Sequence, residues 1–290
     1  MKVMKACKST RLASVSFVLL LARYAHAALY DHSSATVISI NDDTLTPLNL
    51  PVPIKFRDMD INNIYISDNG LVTTDATKET FADAIKTNSI WIAPFGGDVA
   101  PDVNSKIKHA TYLAPGTPPP SGVNVHVNQV YPDVNFSPTS AYVITWENVD
   151  MIGDSSFTGN TFQLTLTTDG TKSYAIFLYD VISWYPGVTG VNAGDGNVQR
   201  VCNTDTAAAQ QLPQKTNIAA CGVDPGVVVL RIDQTGIWGP DCVTVSQPEA
   251  CTTQGILGGG DRNSQTLPFT SCATTMICGA LLILIVRQLT

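Results

Sequence analysis

Apolar positions recur with a period of two along most of this chain, in short runs. Thr36 to Ile40 (TVISI), Asn63 to Thr74 (NIYISDNGLVTT), Val123 to Tyr131 (VNVHVNQVY), Ser140 to Val149 (SAYVITWENV) and Asn160 to Asp180 are rich in β-branched and aromatic residues and are punctuated by Asn, Asp, Gly and Pro. These are strand and turn signals. In NTFQLTLTTDGTKSYAIFLYD, Phe162, Leu164 and Leu166 alternate with Gln163, Thr165 and Thr167, which directs one face to a core and the other to water. Asp169-Gly170 suits a two-residue type I′ turn, whose central residues both take positive φ. The return run Tyr174 to Tyr179 (YAIFLY) is apolar on both faces and predicts a mid-sheet strand covered on each side.

Only Ala76 to Thr87 (ATKETFADAIKT) has helical spacing, with Phe81, Ala84 and Ile85 at i, i+3, i+4 and Thr77 placed like a cap. Pro115 to Gly122 (PGTPPPSG) is a loop by composition. Many short strands joined by Gly, Asn and Pro turns, with little helix, predict an all-β, sandwich-like domain.

The two ends have a different pattern. Lys2, Lys5, Lys8 and Arg11 precede the apolar run Val15 to Ala22, and Ala25-His26-Ala27 is the small-x-small pattern of a signal peptidase site, so residues 1–27 read as a signal peptide. Met276 to Val286 (MICGALLILIV) is apolar again. It fits either a lipid-anchor signal, with Asn263 or Ser264 as attachment residue and QTLPFTSCATT as spacer, or a short single-pass helix from about Leu267. Of the seven cysteines, Cys7 leaves with the signal, and cleavage near Asn263 removes Cys272 and Cys278, which leaves an even four: Cys202, Cys221, Cys242 and Cys251. That parity favours the lipid anchor, because all four can pair in the oxidising exterior. They allow three pairings, of which the local one, Cys202 with Cys221 and Cys242 with Cys251, is the expectation. The expected organisation is therefore a signal peptide (1–27), an extracellular β domain (28–235), a cysteine-containing stem (236–266) and a C-terminal anchor signal or helix (267–290).

Charge narrows the partners. The signal peptide holds five of the 17 Lys and Arg and none of the 24 Asp and Glu, leaving 12 basic against 24 acidic residues. Such a surface repels nucleic acid and other polyanions on average and favours protein partners in the matrix or on cells.

Candidate chemistry is sparse. His32, His109 and His126 have no metal-ligand spacing, which argues against zinc hydrolysis, and His126 falls within an expected strand. Gly153-Asp154-Ser155-Ser156 lacks the strand–turn–helix setting of a nucleophilic serine and reads as a loop. Arg57 to Asn62 (RDMDIN) has the alternating oxygens of a calcium loop, but Asn63 replaces the required Gly and Asn69 the bidentate Glu, which excludes an EF-hand. A calcium site of another kind at Asp58, Asp60, Asp98 or Asp102 competes with ordinary turn capping, the stronger reading. Asn192-Ala193-Gly194-Asp195-Gly196 is a tight turn and no phosphate loop. Asn135-Phe136-Ser137 is a glycosylation sequon, with Pro138 directly after it. No cofactor is indicated.

Taken in order, LPVPIKFRDMDINNIYISDNGLV, IWIAPFGGDV, AYVITWENV, NTFQLTLTTDGTKSYAIFLYD, TGVNAGDG and GVVVLRID resemble the NIDO, or nidogen-type extracellular, domain over about residues 35 to 233. Gly96-Gly97 stands where an aromatic residue commonly follows the IAPF segment, and the Cys202 to Cys221 loop is an insertion. The resemblance implies an extracellular, non-catalytic domain associated with cell–matrix adhesion. The alternatives are a self-associating structural protein of an apical extracellular matrix and, from the residues alone, an ectoenzyme built on a close carboxylate pair.

Overall fold

The computed structural model describes residues 29–234, apart from 40, 79, 87, 101, 154–157, 196, 197, 202, 203 and 217–223. The signal peptide, the four cysteines Cys202, Cys221, Cys242 and Cys251, the stem, Asn263, Ser264 and the C-terminal apolar segment lie outside the described residues.

In chain order the strands are β1 (Thr36–Ile38), β2 (Leu45–Phe56), β3 (Met59–Ser67), β4 (Leu71–Thr73), β5 (Ile90–Gly96), β6 (Lys106–Leu113), β7 (Ser140–Val149), β8 (Asn160–Thr168), β9 (Ser173–Val181), β10 (Val188–Ala193), β11 (Val198–Arg200) and β12 (Val227–Arg231). They pair antiparallel into two six-stranded sheets, ordered β1-β6-β7-β8-β9-β12 and β11-β10-β5-β4-β3-β2. The inner faces share one apolar core, with Leu50, Ile54, Phe56, Ile66 and Phe95 from one sheet and Tyr142, Ile144, Trp146, Phe162, Leu164 and Phe177 from the other. This is the expected all-β sandwich.

Aromatic residues of the first sheet are pinned by their polar tips to backbone groups of the second. Tyr142 Oη donates to the Val52 carbonyl at 2.7 Å, Trp146 Nε1 to the Ser67 carbonyl at 2.9 Å and Tyr179 Oη to the Pro94 carbonyl at 2.8 Å. Each of these three rings thus fills the core while its donor finds an acceptor where β2 is irregular, at the end of β3 or within β5.

The outer faces are covered too, which corrects two expectations. Val123 to Tyr131 is not a strand: α2 (Ser121–Val130) lies there, and its Val123, Val127 and Val130 pack on Val143, Ile176, Leu178, Val227 and Val229. The valines fit both periods, since 123, 125 and 127 alternate while 123, 127 and 130 follow a helical stripe. An outer sheet face needing cover selects the helix and leaves Val125 48 % exposed. His126 is accordingly helical. For the same reason Gln163, Thr165 and Thr167 do not face water; all are fully buried. Gln163 is satisfied by the N-terminal segment, accepting from the Tyr30 N–H at 3.0 Å and donating to the Tyr30 carbonyl at 3.2 Å and Thr145 Oγ1 at 2.9 Å. Tyr174 to Tyr179 is buried at every position between β8 and β12, as its composition requires.

Two local details also differ. Thr168 pairs with Ser173, so Asp169 to Lys172 form a four-residue connection in which only Gly170 has positive φ, 92°. Asp169 Oδ1 accepts the N–H groups of Thr171 and Lys172, and this side-chain capping replaces the two-residue turn. The expected helix is one turn, α1 (Phe81–Ala84), capped by Thr80 and not by Thr77, which instead folds onto Asp75. With Phe81, Ala84 and Ile85 it covers Leu71, Trp91, Ala93 and Val188 on the outside of the second sheet.

Candidate functional site

The connections at one end of the sandwich are tied to each other by hydrogen bonds. Thr44 N–H reaches Asp68 Oδ1 at 3.1 Å, and Ala100 N–H the Asp150 carbonyl at 3.0 Å. Ile152 N–H reaches the Asp98 carbonyl at 2.9 Å, and Trp184 Nε1 the Val149 carbonyl at 2.7 Å. Thus the links following β1, β3, β5, β7 and β9 form one surface. Among the described residues, its segments within 39–44, 68–70, 97–105, 150–159 and 182–187 contain Asp42, Asp43, Asp68, Asp98, Asp102 and Asp150 and no Lys or Arg.

Asn69 is the keystone of this end. Buried completely, it accepts the Val99 N–H on Oδ1 at 2.8 Å, donates from Nδ2 to Asp43 Oδ1 at 3.2 Å, and its carbonyl takes the Gly97 N–H at 3.1 Å. Gly70 follows with φ +76°, where a Cβ would lie 2.2 Å from the Phe95 carbonyl oxygen. Gly97 has the six-membered ring of Trp184 over it, 2.6 Å from where a Cβ would stand. Gly97, the second glycine after IAPF, therefore makes room for an aromatic ring supplied from the β9–β10 link.

The carboxylates here are poorly compensated. No ion pair involves Asp42, Asp43, Asp68, Asp98, Asp102 or Asp150 among the described residues. Asp68 is 1 % exposed; burial above all, reinforced by Asp43 and Asp42, pushes its carboxyl up to about 7 against the Thr44 N–H. Burial and the charges of Asp43 and Asp42 also raise Asp98, and burial and Asp102 raise Asp150. Asp102 moves the other way, since the Asn104 and Ser105 N–H groups stabilise its anion, as a turn cap does. At the opposite end charges are matched: Arg57 with Asp195, Lys55 with Asp60 at 2.8 Å, Arg231 with Asp233 at 2.9 Å.

The remaining sequence candidates are dispersed. Asp58 and Asp60 lie at the far end of the β2–β3 hairpin from Asp98 and Asp102, so those four do not share a site. Asp42, Asp43 and Asp98 do come together, although nothing in the spacing of the first two with the third announces it. His126 Nδ1 shares a 2.7 Å hydrogen bond with Tyr30 Oη, a packing role under α2. His32 and Glu147 are 3.6 Å apart in an open cleft with Leu29, Lys108 and Asp180, and the Lys108 ammonium holds the Glu147 carboxyl below its ordinary range. The small apolar cavity beside Ile54, Ile61 and Trp91 has no carboxylate in its lining. Asn135 is exposed at φ 47°, directly after a 3₁₀ turn at Pro132–Val134, with Phe136 anchored below it by its N–H on Asn128 Oδ1 at 2.6 Å. Gly194 takes positive φ, 77°, in the tight turn read at 192–196. Residues 154–157 of the Gly153-Asp154-Ser155-Ser156 loop are outside the described residues. No helix among the described residues is long and apolar enough to cross a membrane.

A two-sheet sandwich that gathers acidic connections at one end defines a loop-presenting β module. The chain belongs to the nidogen-like (NIDO) domain family, whose profile matches residues 62–234. It is 30 % identical to chicken (Gallus gallus) alpha-tectorin over 171 residues, covering 57 % of this chain and 8 % of that protein. It is 32 % identical to human nidogen-1 over 149 residues, 48 % of this chain and 12 % of that one. Against the Caenorhabditis elegans dendrite extension defective protein 1 it is 26 % identical over 249 residues, 76 % of this chain and 21 % of the relative. The chain therefore spans only a small part of the length of these relatives. No solved structure matches it.

Proposed function

We propose that this protein is a non-catalytic cell-surface component of cell–matrix adhesion, in which the acidic end of the sandwich meets a basic protein surface. The observation that carries the reading is the uncompensated carboxylate surface on five mutually bonded connections, without one basic residue in them. Membership of a family of extracellular modules supports the setting. Complementary charge steers encounter and sets specificity more than it sets affinity. Attachment to the outer face of the plasma membrane by the C-terminal segment, with the four cysteines paired, completes the proposal.

Cells displaying the full chain are tested for adhesion to immobilised matrix at rising ionic strength. Asp102→Lys with Asp150→Lys is expected to weaken adhesion severalfold and to flatten its salt dependence. Adhesion indifferent to both salt and charge reversal overturns the acidic end as contact surface. Concentration-dependent sedimentation of the purified chain tests the alternative, a self-associating matrix component.

A further inference from the structure

We infer that Asp42, Asp43 and Asp98 bind one hard divalent cation, calcium by the chemistry of the donors. One oxygen from each of the three carboxylates lies within 4.8 Å of the other two. Calcium takes oxygens at about 2.3–2.6 Å, so ligand oxygens around one ion lie up to about 5 Å apart, and the triangle has the right size. The donors are all oxygen, with no imidazole or thiolate in the cluster, which selects hard cations over zinc or copper.

An independent observation points to the same place. Asp68 is buried beside the Asp42-Asp43 turn, with its Oδ1 on the Thr44 N–H and the Asp43 N–H also facing its carboxyl, and its Oδ2 has no hydrogen-bond partner among the described residues. A buried carboxylate whose second oxygen lacks a donor, close to the charges of Asp42 and Asp43, is an expensive arrangement in the protein alone. A dication at the triangle offsets it. Asn69 provides the rigidity, because one carboxamide fixes Asp43 to the Val99 backbone beside Asp98. The turn-capping role holds for Asp102, whose oxygens are consumed by Asn104 and Ser105, and it does not hold for Asp98, whose carboxylate accepts no such bond among the described residues.

The test uses the matured full chain, purified in detergent from secreting cells and stripped with a chelator. Calcium is titrated by calorimetry and by thermal unfolding on the parent, on Asp42→Asn and on Asp98→Asn, with Asp60→Asn at the opposite end as control. Both cluster residues are exposed, so the variants keep the packing of the parent. The expected Kd is about 10⁻⁴ to 10⁻³ M, the range of extracellular calcium modules. At about 10 mM calcium the parent should melt roughly 5 °C higher than in chelator. Each cluster variant should bind at least about tenfold more weakly, while Asp60→Asn behaves as the parent. In chelator the cluster variants should melt no lower than the parent, since each removes a repelling charge. Absence of heat and of a melting shift in the parent overturns the inference, as does an equal calcium response in the cluster variants. Cation binding is measured without a partner, so its outcome is separate from that of the adhesion experiment.

Discussion

The Asn69 carboxamide oxygen accepts the backbone N–H of Val99 at 2.8 Å, and the other end of the same group holds Asp43. Replacing Asn69 by Ala leaves the buried N–H of Val99 without an acceptor. The expected cost is about 1–3 kcal/mol, the penalty for an unsatisfied buried group. In a domain of this size that lowers Tm by roughly 2–10 °C in a thermal melt. A Tm within error of the parent would show that the connections hold together without the carboxamide.

Two glycines with similar backbones separate strain from collision. Gly70 and Gly170 have φ +76° and +92°, but a Cβ at Gly70 meets the Phe95 carbonyl at 2.2 Å, whereas nothing lies within 4 Å at Gly170. Gly170→Ala should cost about 1–2 kcal/mol, the left-handed backbone term alone. Gly70→Ala should exceed about 4 kcal/mol or abolish secretion, because backbone must move. Urea midpoints of the two variants check the order.

Acidification is expected to loosen the layer under α2. Burial holds the His126 imidazole below its ordinary value, with Asp224 opposing in part, and the ring is engaged by Tyr30 Oη. The unfolded chain takes up this proton near 6.5 and the folded chain only at lower pH, so protons favour unfolding. The contribution is complete above that value and is lost as pH falls below it. Half-buried His109 acts in the same direction. Asp68, whose carboxyl burial raises to about 7, works in the opposite direction, so the readout is a difference between chains: from pH 7 down to pH 5 the melting temperature of the parent should drop relative to that of His126→Gln.

Glycosylation is expected at Asn135. The residue is exposed beyond a 3₁₀ turn, and Ser137 is exposed with it, so an attached sugar meets no packed side chain. Digestion of the secreted chain with an N-glycosidase should reduce its mass by one glycan, and Asn135→Gln should remove that response. An undigested mass equal to that of the bare chain would show that Pro138 blocks the acceptor.

Treatment of cells expressing the full chain with a phosphatidylinositol-specific phospholipase should release the β domain into the medium. Retention, beside a control anchor that is released, would favour a single-pass helix and direct attention to Cys272.

Strand identity was legible where one period was unambiguous. Ser140 to Val149 is a strand with the expected bounds, and the all-apolar Tyr174 to Tyr179 carries in its composition the requirement for cover on both faces. Val123 to Tyr131 was not legible, because β-branched residues at 123, 125 and 127 mimic a strand while 123, 127 and 130 make a helix stripe. Gln163 was misleading for a related reason: a polar side chain signals water unless another segment brings it partners, and Tyr30 does so from 133 positions away.

Local composition thus determined the secretory and membrane-directed ends as expectations, the acidic charge, the sandwich class and the family, since these depend on short patterns and their order. The convergence of Asp42, Asp43, Asp68 and Asp98 was decided by tertiary structure alone. Their proximity follows from which ends of which strands share an edge of the sandwich, and from one buried carboxamide that clamps the links together. Spacing along the chain holds no trace of that, because the forces that gather these aspartates act on their neighbours in the strands, while the aspartates themselves repel.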